Sequence, residues 1–297
     1  MRPITTAARH APAKINLALH VTGRRADGYH LLESLVVFTQ FGDRISVASA
    51  DEDRFSVHGP FAAHVPLDKS NLVLRVRDSL RAAFPGQTKT PVAIELEKNL
   101  PAASGIGGGS SDAAQTLLAL ADFWQIDDRN ALTAIGLELG ADLPMCLLAR
   151  PLVARGIGER LEPIERFPSL PMVLVNPGMA LPTSHVFRAL ASPDNSPLPL
   201  PPSRLDFAAL CNWLCSSRND LEAPAIAIAP AIADALRALA GCGAAVARMS
   251  GSGATSFGLF DTKAAADEAA SAIAKAHPGW WVVATESMVQ EECNARL

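Results

Sequence analysis

The chain has 297 residues, 49% apolar and 19% charged, with a formal net charge of −4. That length suits two domains, and the composition is that of a globular sequence rather than a disordered one. A weakly acidic chain argues against non-specific binding to nucleic acid or an anionic membrane, no run of 18 apolar residues marks a membrane span, and the N-terminal Met1-Arg-Pro-Ile-Thr-Thr lacks the apolar core of a signal peptide, so a cytoplasmic protein is expected.

The first predicted element is a strand, from the alternation Ile15, Leu17, Leu19, Val21. Lys14, Asn16, Ala18 and His20 share its other face, which reads equally as a solvated surface or as the lining of a cleft. Asp27-Gly28 signals a hairpin turn, with Tyr29, the single tyrosine, and His30 just past it. That pair is either a turn aromatic beside an exposed imidazole or a stacking ring and hydrogen-bonding partner for a nucleobase. Strands are predicted at 31–41, 43–48 and 54–58, then a helix capped by Ser70-Asn71, running over 72–83 and stopped by Pro85-Gly86.

Val92-Ala-Ile-Glu-Leu96 alternates like a half-buried strand and leads into Pro101-Ala-Ala-Ser-Gly-Ile-Gly-Gly-Gly-Ser-Ser111. Gly105 and Gly107 to Gly109 weaken any regular element, so they read as a turn or as backbone that approaches a ligand closely. A helix over 112–123 follows, with Ser110 or Ser111 expected at its N-cap. Strand, glycine loop, serine pair and helix favour an anion site built from free N–H groups and the positive end of a helix dipole. No lysine follows the last glycine, which excludes a Walker A loop.

A helix is predicted over 129–139, ended by Gly140 at a C′ position, and Asp142 falls in a loop ahead of Pro144, where an aspartate is usually solvated or capping. Two short strands flank the turn at 153–159, and a domain boundary is expected near Pro163 to Pro168, dividing the chain into 1–163 and 164–297. The second part reads as a buried strand over 171–175, a short helix at 182–187, a Pro- and Ser-rich loop over 191–202, and helices at 206–215, 221–227 and 231–239. Strands at 244–249 and 255–260 flank Ser250-Gly-Ser-Gly253, which by itself is no more than a hairpin. A helix over 262–275 and a strand over 280–285 close the fold, and residues beyond Met288 are expected to fray. Cys146, Cys211, Cys215, Cys242 and Cys293 form no CxxC pair and are expected to be reduced. Without regular βαβ alternation, the expectation is two α+β domains with largely antiparallel sheets.

Pro101 to Ser111 with Asp112-Ala-Ala resembles the phosphate loop of the GHMP kinases. Pro12-Ala-Lys14-Ile-Asn16-Leu, Gly23 through Tyr29-His30, Gly140-Ala-Asp142-Leu-Pro144 and Met249-Ser-Gly-Ser-Gly253 are similar to motifs of the members that act on a cytidyl-linked polyol. Ala102-Ala103-Ser104 stands where such enzymes carry one or two more glycines. The resemblance implies an N-terminal ribosomal-S5-domain-2-like ATP domain, a C-terminal ferredoxin-like domain and an active site in the cleft between them. It implies ATP phosphates on Pro101, Ala102, Ala103, Ser104, Gly105, Ile106, Gly107, Gly108, Gly109, Ser110 and Ser111, with the adenine end near Asn71, Leu72 and Lys98. Lys14 and Asp142 would flank the acceptor hydroxyl, Tyr29 and Phe187 sandwich a cytosine, His30 bond its polar edge, and Asn16 and Thr183 hold the substrate. Mg²⁺ would sit near Ser110 or Ser111. The partners so implied are ATP and a small-molecule cytidyl substrate, with no nucleic acid or membrane, in a monomer or homodimer. A different alcohol acceptor, a catalytically silent nucleotide sensor and an RNA-binding module are the alternatives; Tyr29-His30, the Lys14 and Asp142 pair, and the acidic charge weigh against them in turn.

Overall fold

The structure, a computed structural model, describes residues 7–202 and 205–289. Cys293 and the expected frayed tail from residue 290 on lie outside the described residues. Two compact units emerge, neither a contiguous stretch: the first holds the described residues up to 13 with 42–102 and 107–148, the second 14–41, 103–106 and the described residues from 149 onward. Strands β1 (Ala7–Arg24) and β2 (His30–Ser49) each contribute residues to both. The two strands expected at 31–41 and 43–48 are one strand, because Gly42 does not break it. A Cβ there would lie 2.2 Å from the carbonyl oxygen of Ala11, so glycine permits a close backbone approach within an unbroken strand.

In the first unit the chain continues through β3 (Arg54–His58), α1 (Leu72–Ala83), β4 (Val92–Glu97), α2 (Gly108–Trp124), α3 (Arg129–Leu139) and α4 (Leu143–Leu148). The end of β2 pairs antiparallel with β4, Arg44 opposite Glu97, while β3 runs parallel to β4, Arg54 opposite Ala93. Helix α1 starts where Asn71 Oδ1 accepts the Val73 N–H at 2.9 Å. Helix α2 buries Ala113, Ala114, Leu117, Ala119 and Leu120 completely and packs against α1 and α4. It is a core helix, and each of its buried leucines contributes roughly 1.5–3 kcal/mol relative to exposure.

Two local expectations fail between α3 and α4. Gly140 has φ 172°, an extended conformation rather than a left-handed cap. The segment after Asp142 is helical, with Pro144 in the first turn of α4, where its missing N–H would have had no intrahelical acceptor.

In the second unit follow β5 (Leu152–Gly156), β6 (Arg160–Pro163), β7 (Pro171–Asn176), α5 (Thr183–Arg188), α6 (Phe207–Cys215), α7 (Glu222–Ile228), α8 (Ala231–Gly241), β8 (Val246–Met249), β9 (Ser256–Leu259), α9 (Lys263–Ala276) and β10 (Trp281–Glu286). Strand β5 pairs antiparallel with the start of β2, Leu32 opposite Gly156, and with β6. The other sheet has the order β10-β7-β9-β8, antiparallel throughout. With α8 ahead of β8 and α9 between β9 and β10, this is the β-α-β-β-α-β ferredoxin-like arrangement. Val173, Val175, Leu239, Phe260 and Ile273 form the core between that sheet and α8 and α9. The loop over 191–202 is tied back to β1 by the Asn195 N–H, which donates to the Val21 carbonyl at 3.2 Å. Among the described residues Cys146, Cys211, Cys215 and Cys242 form no disulfide with one another, as expected, and no single helix is long and apolar enough to cross a membrane.

Candidate active site

In the first unit the centre of the site is the start of α2. The cap position is Gly107 at φ +64°, with Gly108, Gly109, Ser110 and Ser111 in the first turn. The expected serine cap is therefore displaced into the helix by a left-handed glycine, and no side chain caps this end. Its N–H groups and the dipole are left for an anion. Ser110 is half-buried, and the fully buried Ser111 hydroxyl has no hydrogen-bond partner among the described residues. Lys98, just past β4, places Nζ 2.5 Å from Asp43 Oδ2 and 2.5 Å from Asp112 Oδ2. Burial disfavours the ammonium, but the carboxylates of Asp112 and Asp43 outweigh it and raise the Lys98 pKa. Burial pushes the Asp112 carboxyl well above the usual range, against the pull of Lys98 and with the push of Asp43.

Asn71 is buried and spends both ends of its amide locally: Oδ1 caps α1 and Nδ2 donates to the Pro66 carbonyl at 2.7 Å, with Leu72 opening the helix. Pro101 is buried and Ala102 exposed. Asp142 is half-buried immediately ahead of α4, its carbonyl accepting the Cys146 N–H at 3.2 Å.

In the second unit, residues 103–106 lie against the loop between β8 and β9. Ala103 has φ +49°, a conformation that costs an alanine roughly 1–2 kcal/mol. The Ser104 carbonyl accepts the Thr255 N–H at 3.0 Å, and that of Ile106 accepts the Lys14 N–H at 2.9 Å. The Ser250 hydroxyl donates to the Gly105 carbonyl at 3.1 Å and accepts the Asn16 N–H at 3.1 Å. Lys14 and Asn16 are both buried on one face of β1, so that face is not a solvated surface. Asn16 Nδ2 donates to Ser34 Oγ at 2.7 Å, while its Oδ1 is buried with no hydrogen-bond partner among the described residues. Thr183 shares a 2.9 Å hydrogen bond with Ser252.

Past the hairpin turn, Tyr29 is 61% exposed. His30 stacks on Phe187, ring centroids 4.8 Å apart and planes 25° apart. Burial and then the charge of Arg24 lower the His30 pKa, which favours the neutral imidazole.

Several partners escaped the sequence reading. The Ser250 loop carried a signal in its alternation of serine and glycine between two strands, but Asp43 and Ser34 are ordinary strand residues. Asn219, whose Nδ2 holds the carbonyls of Met249 and Gly251 at 2.8 Å each, sits in an unremarked loop.

A family profile described as the GHMP kinases N terminal domain matches residues 71–150, and one described as GHMP kinases C terminal matches residues 203–279. The chain is 57% identical over 283 residues to the 4-diphosphocytidyl-2-C-methyl-D-erythritol kinase of Mesorhizobium japonicum, covering 95% of this chain and 96% of that protein. It is 57% identical over 284 residues to the kinase of the same name from Brucella melitensis biotype 1, covering 94% of each. A solved 4-(cytidine 5'-diphospho)-2C-methyl-D-erythritol kinase is similar with a TM-score of 0.79 and 35% identity, over 95% of this chain and 100% of that one. The homoserine kinase of Cytophaga hutchinsonii, 16% identical with a TM-score of 0.68 over 96% of this chain and 95% of that one, shares the fold.

Proposed function

The chain belongs to the GHMP kinase family, and from that premise we propose that it phosphorylates the 2-hydroxyl of 4-diphosphocytidyl-2-C-methyl-D-erythritol with ATP, giving the 2-phosphate and ADP in isoprenoid precursor synthesis. The observation that carries the reaction class is the uncapped, glycine-opened start of α2, an anion-binding end on a core helix. The acceptor rests on the end-to-end likeness to relatives bearing that substrate's name, with Tyr29, His30 and Phe187 as the groups suited to a cytosine. On this reading residues 1–163 serve ATP, 164–297 complete the enzyme, and it works in the cytoplasm.

Residues 101–111 hold the phosphates, and Asn71, Leu72 and Lys98 flank the adenine end. Asn16 and Thr183 orient the polyol; the unpartnered Asn16 Oδ1 is an acceptor for a substrate hydroxyl. Asp142 takes the acceptor proton. An alkyl hydroxyl has a pKa of roughly 16 and an aspartate about 4. Prior deprotonation is thus roughly 16 kcal/mol uphill at 1.36 per unit. The proton therefore moves late, as the loose transition state makes the hydroxyl acidic. Lys14 stabilises the charge that develops there.

The donor set fits Mg²⁺. Ser110 offers a half-buried hydroxyl in the first turn of α2, and this ion takes most of its ligands from phosphate and water rather than from a protein cage. Ser110, or Ser111 after a small rearrangement, would hold it, and when bound it neutralises charge on the phosphate oxygens.

The test is ADP release measured with the cytidyl polyol, mevalonate and homoserine in parallel. Turnover confined to the cytidyl compound is expected; equal or greater turnover of a simple alcohol overturns the acceptor, and no turnover of any overturns the kinase.

A further inference from the structure

Asp43, on β2, engages two different parts of the first unit. Its Oδ1 accepts the backbone N–H of Asn99 at 2.6 Å and of Leu100 at 2.8 Å, which fixes the chain as it leaves β4. Its Oδ2 holds Lys98, and the same ammonium holds Asp112, the fifth residue of α2. All three side chains are withdrawn from water, with exposures of 0% for Asp43 and 4% for Lys98 and Asp112. One network thus joins the residues ahead of the glycine run to the helical turn behind it. The contact is close on the helix side as well, since a Cβ on Gly108 would lie 3.1 Å from Lys98 Nζ.

Stability alone does not account for such a group. Burying an ammonium together with two carboxyl groups commonly costs more than packing apolar side chains of the same volume. What the network supplies is rigidity where glycines remove it. A run with Gly105, Gly107, Gly108 and Gly109 has wide conformational freedom, and freezing it when ligand arrives subtracts from affinity. Tethering its flanks beforehand lessens that loss and aims the amides of α2 before the anion arrives.

We propose that Asp43, Lys98 and Asp112 are positioning residues for the nucleotide, a buried tether that holds residues 99–100 and the opening turn of α2 in the geometry that receives phosphate. Asp43 and Asp112 act through Lys98 and through backbone amides, without touching ATP. The inference rests on the phosphate-site reading given above.

The experiment compares Asp112→Ala, which cuts the tether, with Asp112→Asn, which keeps an oxygen against Lys98. Asp112→Ala should raise the KM for ATP about tenfold or more and leave the KM for the cytidyl substrate unchanged, with most of the loss recovered in Asp112→Asn. A folded Asp112→Ala with a normal KM for ATP, an equal rise in both KM values, or Asp112→Asn behaving like alanine overturns the proposal. Hydrogen exchange of the unaltered protein without nucleotide provides a readout that needs neither turnover nor a folded variant. The amides of Asn99, Leu100 and Ser111 should be as protected as the middle of α2, and exchange at open-chain rates overturns the tether. Protection at those amides in a protein that releases no ADP would sink the kinase reading and leave the tether standing.

Discussion

A Cβ placed on Gly105 would lie 2.5 Å from the carbonyl oxygen of Ser250, and the backbone there already holds φ +77°. Both obstacles are main chain, so no side-chain rotation relieves them. Gly105→Ala should therefore lower the melting temperature by several degrees, about 1–2 kcal/mol from the left-handed backbone alone, and reduce kcat/KM for ATP. Unchanged melting and kinetics would show that the 103–106 segment is not held against the Ser250 loop.

Asp142→Asn should abolish turnover while nucleotide binding, followed by calorimetry, survives. Lys14→Met should lose at least ~100-fold in kcat, the lower scale for a group acting on a proton in flight. A near-normal rate in either variant removes its assigned role.

Tyr29→Ala should raise the KM for the cytidyl substrate with little change in kcat, because Tyr29 is largely exposed and spends little of its surface on the core. His30 already covers one face of Phe187, so Phe187→Ala should also loosen His30 and affect both KM and kcat. A Tyr29→Ala enzyme with an unchanged KM and a lower rate would contradict stacking.

His20 gives a pH dependence of stability. Its Nδ1 donates to the Ser196 carbonyl at 3.1 Å, and its Nε2 accepts the Arg218 N–H at 3.2 Å, which requires the neutral ring. Burial is the largest cause of its lowered pKa, and Arg218 adds to it, while the Ser196 carbonyl and Asp220 oppose it. A folded pKa below the unfolded value means that the unfolded chain binds more protons in the acid range. This contribution is thus fully present above about pH 6.5, the ordinary histidine value, and is lost as pH falls through the folded pKa. Melting temperature should drop between pH 7.5 and 5.5, and part of the drop should vanish in His20→Gln. An NMR titration showing His20 protonated at its ordinary pKa would refute this.

Local chemistry was the legible part of the fold. Asn71 caps its helix as its place ahead of an apolar periodic run announces, whereas Asp206 and Thr262, which the pattern counts inside their helices, are caps, as is Asp128. The glycine run with its trailing serines was legible as the loop that leads into a helix, but not the residue that opens α2. Serine has the stronger capping preference, yet only Gly107 could take φ +64° without strain. Helix α4 was hidden because Pro144 reads as a breaker unless its place in the first turn is known. Lys98 was assigned to the nucleotide by resemblance, while its bonds to Asp43 and Asp112 depend on a strand pairing that no short window of sequence contains.

Leu19 and Val21, in the second half of β1, find their neighbours in Leu181, Val186, Leu221 and Met249, all made far later by the ribosome. The nascent protein must therefore keep an apolar strand waiting until most of its length has been synthesised. A half-length product, however neatly trimmed in its loops, would emerge with that strand unmatched and prone to stick to whatever it met first.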